Sequence, residues 1–326
     1  MSIEKAAIVA AFGEYYINEG QNMERLKSML RAKTSTVQSA KPIVYDGEVY
    51  RFSNVIFQEI IQQFQKKFTE KGDLEFKPNE IRLRNIKIDL SLYPDDVKGS
   101  WLGFLGSVTD MERANWPIVR YMTENEVVPQ LYNDLETKAY FKGVYEAPQD
   151  GVAGSASKVM DGIKKLLDDG LAESDVTKKI TRVNLPEASL TATNIFDQVE
   201  AFADGLGDEY EGVNYTIHMS KKNLRAYLRD KRNTHGSDVN FKADKVTIDF
   251  SENIKLEGHT SMSGSDYLWG TPDDNFLYLR RVNGMSAPKV EESKREVFLM
   301  LDWWEGIGFG YNPLVHVWKP GFVESN

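Results

Sequence analysis

No cysteine occurs among the 326 residues, which excludes disulfides, thiol nucleophiles and thiolate metal sites. No apolar run is long enough to span a bilayer, and a basic-then-apolar leader is missing. The expectation is a chain that neither crosses a membrane nor is exported, and the Asn214-Tyr215-Thr216 sequon is then accidental. Histidine is scarce. His218, His235, His259 and His316 are scattered without HxH or HExxH spacing, so no metal site is expected. The sequence contains no GxSxG, GxxxxGK[ST] or calcium-loop pattern, and no repeat period. Positive charge is short too. Lys and Arg number 40 against 49 Asp and Glu, for a net charge of −9, which argues against gripping DNA or RNA through phosphates but not against enclosing it.

What is present suits a globular protein of one large or two medium domains, with 41% hydrophobic and 27% charged residues. The organising stretch is Trp116 to Gly143. Ile118, Met122, Val128, Leu131, Leu135 and Ala139 fall at helical spacing, with Asn115 as cap, Pro117 in the first turn and Gly143 as stop. Pro129 predicts a kink near Val128. Before this spine, two helices are expected over Ile3–Tyr16 and Asn22–Lys33, then a polar linker over Thr34–Ala40. A hairpin is expected around Asp46-Gly47, and a helix over Asn54–Lys67 with Val55, Ile56, Ile60, Ile61, Phe64 and Phe68 on one face. From Glu80 the period changes to two, with a phase flip at Arg84-Asn85. That flip predicts a bulge or a strand passing between sheets.

After the spine, the Gly- and Pro-rich Val144–Ser157 reads as a boundary. Helices are expected over Lys158–Asp169, Ile195–Ala203 (capped by Asn194) and Lys221–Arg232 (capped by Ser220). Strands are expected over Tyr215–Met219, Val246–Phe250, Phe276–Leu279 and Arg295–Trp304, the last apolar on both faces. Leu314–Trp318 is expected to pair back into the region of that last strand. The alternation gives an α+β domain of about 140 residues.

Few groups invite chemistry. Gly306, Gly308 and Gly310 resemble a phosphate loop but no helix follows, so a tight bend is the better reading and no cofactor is expected. The acidic pairs Asp95-Asp96, Asp168-Asp169, Asp273-Asp274 and Glu291-Glu292 read as solvated charge. Lys222, Arg225, Arg229 and Arg232 make the one cationic face of note, suited to phosphate or, slightly better in an acidic chain, to an acidic neighbouring subunit. Strands this long, together with a detached helical arm, suit a chain covered by its neighbours.

Taken in order, these parts resemble the major capsid proteins of tailed double-stranded DNA bacteriophages, the Hong Kong ninety-seven-type shell fold. The pieces that carry the resemblance are the spine with its WPIVRY entry and KGVYEAP exit, then GVAGSASKVMDGIKKLL and VNYTIHMSKKNLRAYLRDKRNTHG. The return segment IKLEGHTSMSGSDYLWGTPDDNFLYL and the tail REVFLMLDWWEGIGFGYNPLVHVW complete the set. WPIVRY and TPDDN look closest to capsids of phages of gut Bacteroides-type bacteria. The resemblance implies an N-terminal arm over 1–35, an extended loop and peripheral strands over 36–101 and a spine over 102–148. It further implies an axial domain over 149–285 and closing peripheral strands over 286–326.

It also implies a non-enzymatic shell subunit in virions, forming pentamers and hexamers around double-stranded DNA without sequence-specific binding. Portal, scaffold and decoration proteins are the implied partners. Ile56, Ile60 and Phe64 are the candidate contacts of an arm that lies on a neighbour. No Lys–Asn–Glu cross-linking set can be matched. With Met1 near the arm, any scaffold is expected to be separate or removed. An encapsulin-type compartment is the alternative within the fold, and a carboxylate-based hydrolase using residues 150–255 is the alternative from another class.

Overall fold

A helical rod over 118–139 forms the middle of the molecule. The computed structural model describes residues 5–12, 14, 15, 26, 34–57, 61–71, 74–107, 109, 116–207, 210–235, 246–248, 251, 253–285, 289–293 and 296–321. Asn115, the expected cap, lies outside them. The rod joins α-helical Ile118–Tyr121, a π turn over Met122–Val127, α-helical Val128–Asp134 and a second π turn over Leu135–Ala139. Ile118, Val128, Leu131, Leu135 and Ala139 are buried, as their spacing predicts. Pro129 falls in the first turn of the second α segment. The disturbance it causes takes the form of the preceding wide turn, in which Val128 N–H donates to Thr123 O. The rod stops at Ala139, earlier than expected, and Gly143 N–H then donates to Ala139 O. A Cβ on Gly143 would stand 2.5 Å from that oxygen and 2.6 Å from Met160 O, so only glycine fits. No helix among the described residues is long and apolar enough to cross a membrane.

Helix Lys5–Phe12 buries Ile8 and Phe12. The second helix expected in the arm lies outside the described residues, apart from buried Leu26. Residues 34–40 are not a linker. Ser35–Gln38 is a short helix, and Thr36, Val37 and Ala40 are buried. Its small polar side chains serve buried Glu136 of the rod, whose carboxylate takes the hydroxyls of Ser35 and Thr36. Thr36 Oγ1 lies 2.8 Å from Glu136 Oε1 and 2.6 Å from Ser261 Oγ.

Strands β1 (Lys41–Val44) and β2 (Val49–Phe57) follow, then β3 (Leu74–Arg82) and β4 (Arg84–Leu92). Asp46-Gly47 turns the chain, but its two flanks do not pair with each other. Among the described residues the helix expected over Asn54–Lys67 is absent, because Asn54–Phe57 complete β2 and 61–71 is irregular. The apolar spacing there imitates a helix. Val55, Ile56 and Phe57 are also good strand formers, and pairing with 74–76 satisfies their backbone. The phase flip near Arg84 is a strand passing between sheets, with buried Leu83 at the crossing.

Helix Pro94–Ser107, which periodicity does not announce, precedes the rod. After it come helix Ile163–Ala172, β5 (Thr181–Arg182), helix Ile195–Asp204, β6 (Tyr215–Ser220) and helix Lys221–His235. β7 (Ile254–His259), β8 (Leu268–Pro272), β9 (Phe276–Met285), β10 (Lys289–Ser293), β11 (Glu296–Phe309) and β12 (His316–Trp318) complete the order. Helix Ile163–Ala172 starts later than expected and runs past Gly170, whose missing Cβ leaves room for Ile180. Asn194 does not cap Ile195–Asp204 with its side chain. It binds Thr191 N–H and Ser189 O instead, whereas Ser220 Oγ does accept Asn223 N–H. The expected strand at Val246 reduces, among the described residues, to a bridge from Thr247 to Lys255.

Among the described residues, these strands give two five-stranded sheets beside the β2–β3 pair. In one, β1, β9, β11 and β10 lie in order, with β4 along β11. In the other the order is β5, β12, β8, β6, β7. β12 therefore joins the second sheet, not the region of β11 as expected. β9, within the 149–285 segment, joins the first, so the sheets exchange strands across the expected boundary. β11 is less symmetric than its composition suggests. Val297, Leu299, Leu301 and Trp303 are buried, while Phe298, Met300 and Trp304 are half-buried.

Candidate assembly surface

β2 and β3 form an antiparallel two-stranded ribbon, paired from Val49–Arg82 to Phe57–Leu74, with no third strand among the described residues. Nine residues at ~3.3 Å each give about 30 Å of ribbon. Arg51 Nε lies 2.9 Å from Glu80 Oε1 across it. Glu80 is held below the usual carboxylate range by that bond. The root of the ribbon is seated on β11. Gly306 and Gly308 are not in a bend, as expected, but inside that strand. A Cβ on Gly306 would meet Arg82 O at 2.6 Å, and one on Gly308 would meet Ile81 at 2.9 Å. Asn79 Nδ2 donates to Phe309 O at 2.7 Å and to Asn312 Oδ1 at 2.9 Å. Gly306 thus lets the ribbon backbone at Arg82, and Gly308 the Ile81 side chain, lie against the sheet.

At the other end, residues 61–71 turn the chain with polar contacts. Gln62 Nε2 donates to Thr69 O at 2.7 Å, Gln65 Nε2 to Gln62 Oε1 at 3.2 Å, and Lys71 Nζ to Ile61 O. The apolar side chains point outward: Ile61 is 80%, Phe64 93% and Phe68 90% exposed. Of the candidate arm contacts, Phe64 is therefore free of its own chain. Ile56 is placed in β2 opposite Glu75 without a described side chain, and Ile60 lies outside the described residues.

The four cationic candidates, Lys222, Arg225, Arg229 and Arg232, are exposed on helix Lys221–His235 at spacings that share one side. Asn223, Tyr227 and Asp230 are buried on the other. Asp230 Oδ2 accepts Phe196 N–H at 3.0 Å, and Tyr227 OH donates to Glu200 Oε1 at 2.8 Å.

Two of the acidic pairs are not merely solvated. Asp168 Oδ1 takes Tyr267 OH at 2.9 Å and Lys319 Nζ at 2.8 Å, and Asp273 Oδ1 takes Thr216 Oγ1 at 2.6 Å. His316 is a satisfied core residue, its Nδ1 3.0 Å from Tyr215 OH. His218 and His259, remote in sequence, are neighbours in space. No local spacing rule finds them, because the parallel register of β6 and β7 brings them together. Glu305 of β11 is fully buried. Burial pushes its carboxyl up to about 7, against the pull of the Tyr278 hydroxyl 2.9 Å away.

No family model matches the sequence, and no curated protein matches it. Solved structures do. One is a satellite phage P4 procapsid including size determination (Sid) protein, with TM-score 0.56 and 9% identity over 90% of this chain and 89% of that one. The capsid of an empty GTA particle gives TM-score 0.54 and 12% identity over 90% and 98% of the two chains. The capsid of a native GTA particle gives 0.53 and 11% over 89% and 98%. The chain therefore has the Hong Kong ninety-seven-type capsid fold.

Proposed function

We propose that this chain is a major capsid protein, which assembles with copies of itself into the icosahedral head shell of a tailed bacteriophage. The observation that carries the reading is the ribbon tip. Ile61, Phe64 and Phe68 are more than three-quarters exposed on a lone chain that has a capsid fold. Covering them is worth ~1.5–3 kcal/mol each, so a surface that receives them is strongly favoured. In a closed shell the receiving surface is another copy of the same chain.

The net charge of −9 suits a wall around double-stranded DNA that does not pin the duplex. The reading makes the chain structural rather than enzymatic, places it in virions, and takes portal, scaffold and decoration proteins as further partners. It keeps the division into arm, extended loop, spine, axial and peripheral parts. A Bacteroides-type host rests on WPIVRY and TPDDN alone.

The test is the double substitution F64S/F68S in the full chain. Circular dichroism and urea melts should match the parent within ~0.5 kcal/mol, as for exposed sites. Sedimentation velocity and negative-stain microscopy should lose the shells. Shells that close as in the parent would refute an inter-subunit role for the tip.

A further inference from the structure

The pairing of β6 with β7 collects three metal-ligating side chains. The strands run parallel, with His218 beside Glu257 and Ser220 beside His259. Residues two apart on a strand share a face, so Glu257 and His259 point the same way and His218 joins them from alongside. Their ligand atoms all lie within 4.8 Å of one another. His218 and His259 are 2% and 1% exposed, and Glu257 is half-buried, which leaves the cluster an opening on its side.

The two imidazoles face each other through one nitrogen each. His218 Nδ1 and His259 Nε2 are 2.8 Å apart, so one must carry the proton that the other accepts. A cation between the two rings takes both facing lone pairs and removes the need for that shared proton, while Nδ1 of His259, on the far side of its ring, carries the proton of the neutral imidazole. Trp269 stacks on His218 at 3.9 Å and fixes that ring.

We propose that His218, Glu257 and His259 bind one zinc-type divalent ion, with a fourth position open to water. Two imidazoles and one carboxylate suit zinc, whereas calcium and magnesium prefer all-oxygen sets. Bonds of ~2.0–2.1 Å in a tetrahedron set ligand atoms about 3.3 Å apart. The two rings need to part by only about half an ångström. The ion ties the edge strand β7 to β6 in a chain without disulfides, and the site is complete within one subunit, so it does not depend on shell assembly.

The experiment uses the full chain, stripped with a chelator and titrated with Co2+ as a visible probe. One equivalent should give the intense absorption of four-coordinate cobalt, and one equivalent of Zn2+ should abolish it. H259Q and E257Q should each weaken Co2+ binding by about tenfold or more, while H235Q should leave it unchanged. If those variants fail to fold, imidazole NMR of the parent decides. Zn2+ must move the His218 and His259 signals and spare the other two of the four histidines. Absence of a stoichiometric cobalt band, equal affinity in folded H259Q and E257Q, or shifts at His235 or His316 instead would overturn the site.

Discussion

Replacing Glu305 by glutamine separates the cost of a buried charge from everything else that titrates in this chain. Glu305 is 2% exposed in β11, with Tyr278 OH on Oε2 at 2.9 Å and, among the described residues, no partner on Oε1. Its carboxyl rises from 4.5 to about 7 on folding because burial disfavours the ionised form. The folded state therefore holds this proton more tightly than the unfolded state. The stability it contributes is complete below pH 4.5 and is lost as pH rises through 7. Two and a half pH units at about 1.4 kcal/mol each amount to ~3 kcal/mol. Glutamine has no such titration. Its amide places a donor where Oε1 already lacks a partner, a pH-independent penalty of ~1–3 kcal/mol. Only the change with pH is diagnostic. Urea melts of both proteins, at concentrations where the subunit sediments as a monomer, should show E305Q gaining ~3 kcal/mol on the parent between about pH 4.5 and pH 8. Other ionisable groups cancel in the difference. A difference that stays flat with pH, or one that falls, would refute the buried-charge argument.

Two further outcomes follow from the same packing. W303A should cost ~3–5 kcal/mol in urea melts, whereas W304A, half-buried with the Arg281 guanidinium 3.9 Å over its ring, should cost only about 1–2 kcal/mol; equal losses would mean both faces of β11 are equally covered. Burial pushes the Glu136 carboxyl up, but the Ser35 and Thr36 donors outweigh it and hold it low, so its stability is present above pH 4.5 and lost as pH falls. T36V should therefore cost ~1.5–3 kcal/mol near pH 7 by urea melt, the loss shrinking on acidification; a loss constant with pH would contradict a charge-assisted bond.

Much of the architecture was readable because it rests on local signals. The stripe from Ile118 to Ala139 marked the rod. The flip at Arg84-Asn85 marked the point where the chain leaves the ribbon for the main sheet, since a strand cannot change its buried face without a break. Ser220 read correctly as a cap because capping is decided within three residues. Two misreadings share one cause, a distant partner. Thr34–Ala40 looked like a linker because nothing local reveals that Glu136, about a hundred residues on, needs its hydroxyls. Gly306 and Gly308 looked like a bend because nothing local reveals that Arg82 and Ile81 lie against them. Asn194 failed for the opposite reason: it met every rule for a cap, and near neighbours on its upstream side, Ser189 and Thr191, drew its side chain away.

The stretch around Phe64 makes the limit sharper. Ile60, Ile61, Phe64 and Phe68 recur as core residues of a helix do, because in both cases apolar groups are spaced to meet a surface. Periodicity reports that a surface exists, not which molecule supplies it. The structure removes one option, since the side chains of Ile61, Phe64 and Phe68 are open on their own chain. Polar bonds within 61–71 already hold the tip in shape, so its exposure is not that of an unfolded tail. In the proposed shell, a tip ordered by its own backbone and apolar on its outside is preorganised for docking, because little entropy remains to be lost on contact. The glycine seat serves the same end. By welding the ribbon root to β11 at Gly306 and Gly308, it fixes the direction in which about 30 Å of ribbon carries that tip away from the core. On the proposed shell reading, a serine at Gly306, whose Cβ would stand 2.6 Å from Arg82 O, should push Arg82 off the strand, re-aim the tip and lose closed shells in sedimentation with Phe64 and Phe68 unchanged; shells that close as in the parent would contradict it.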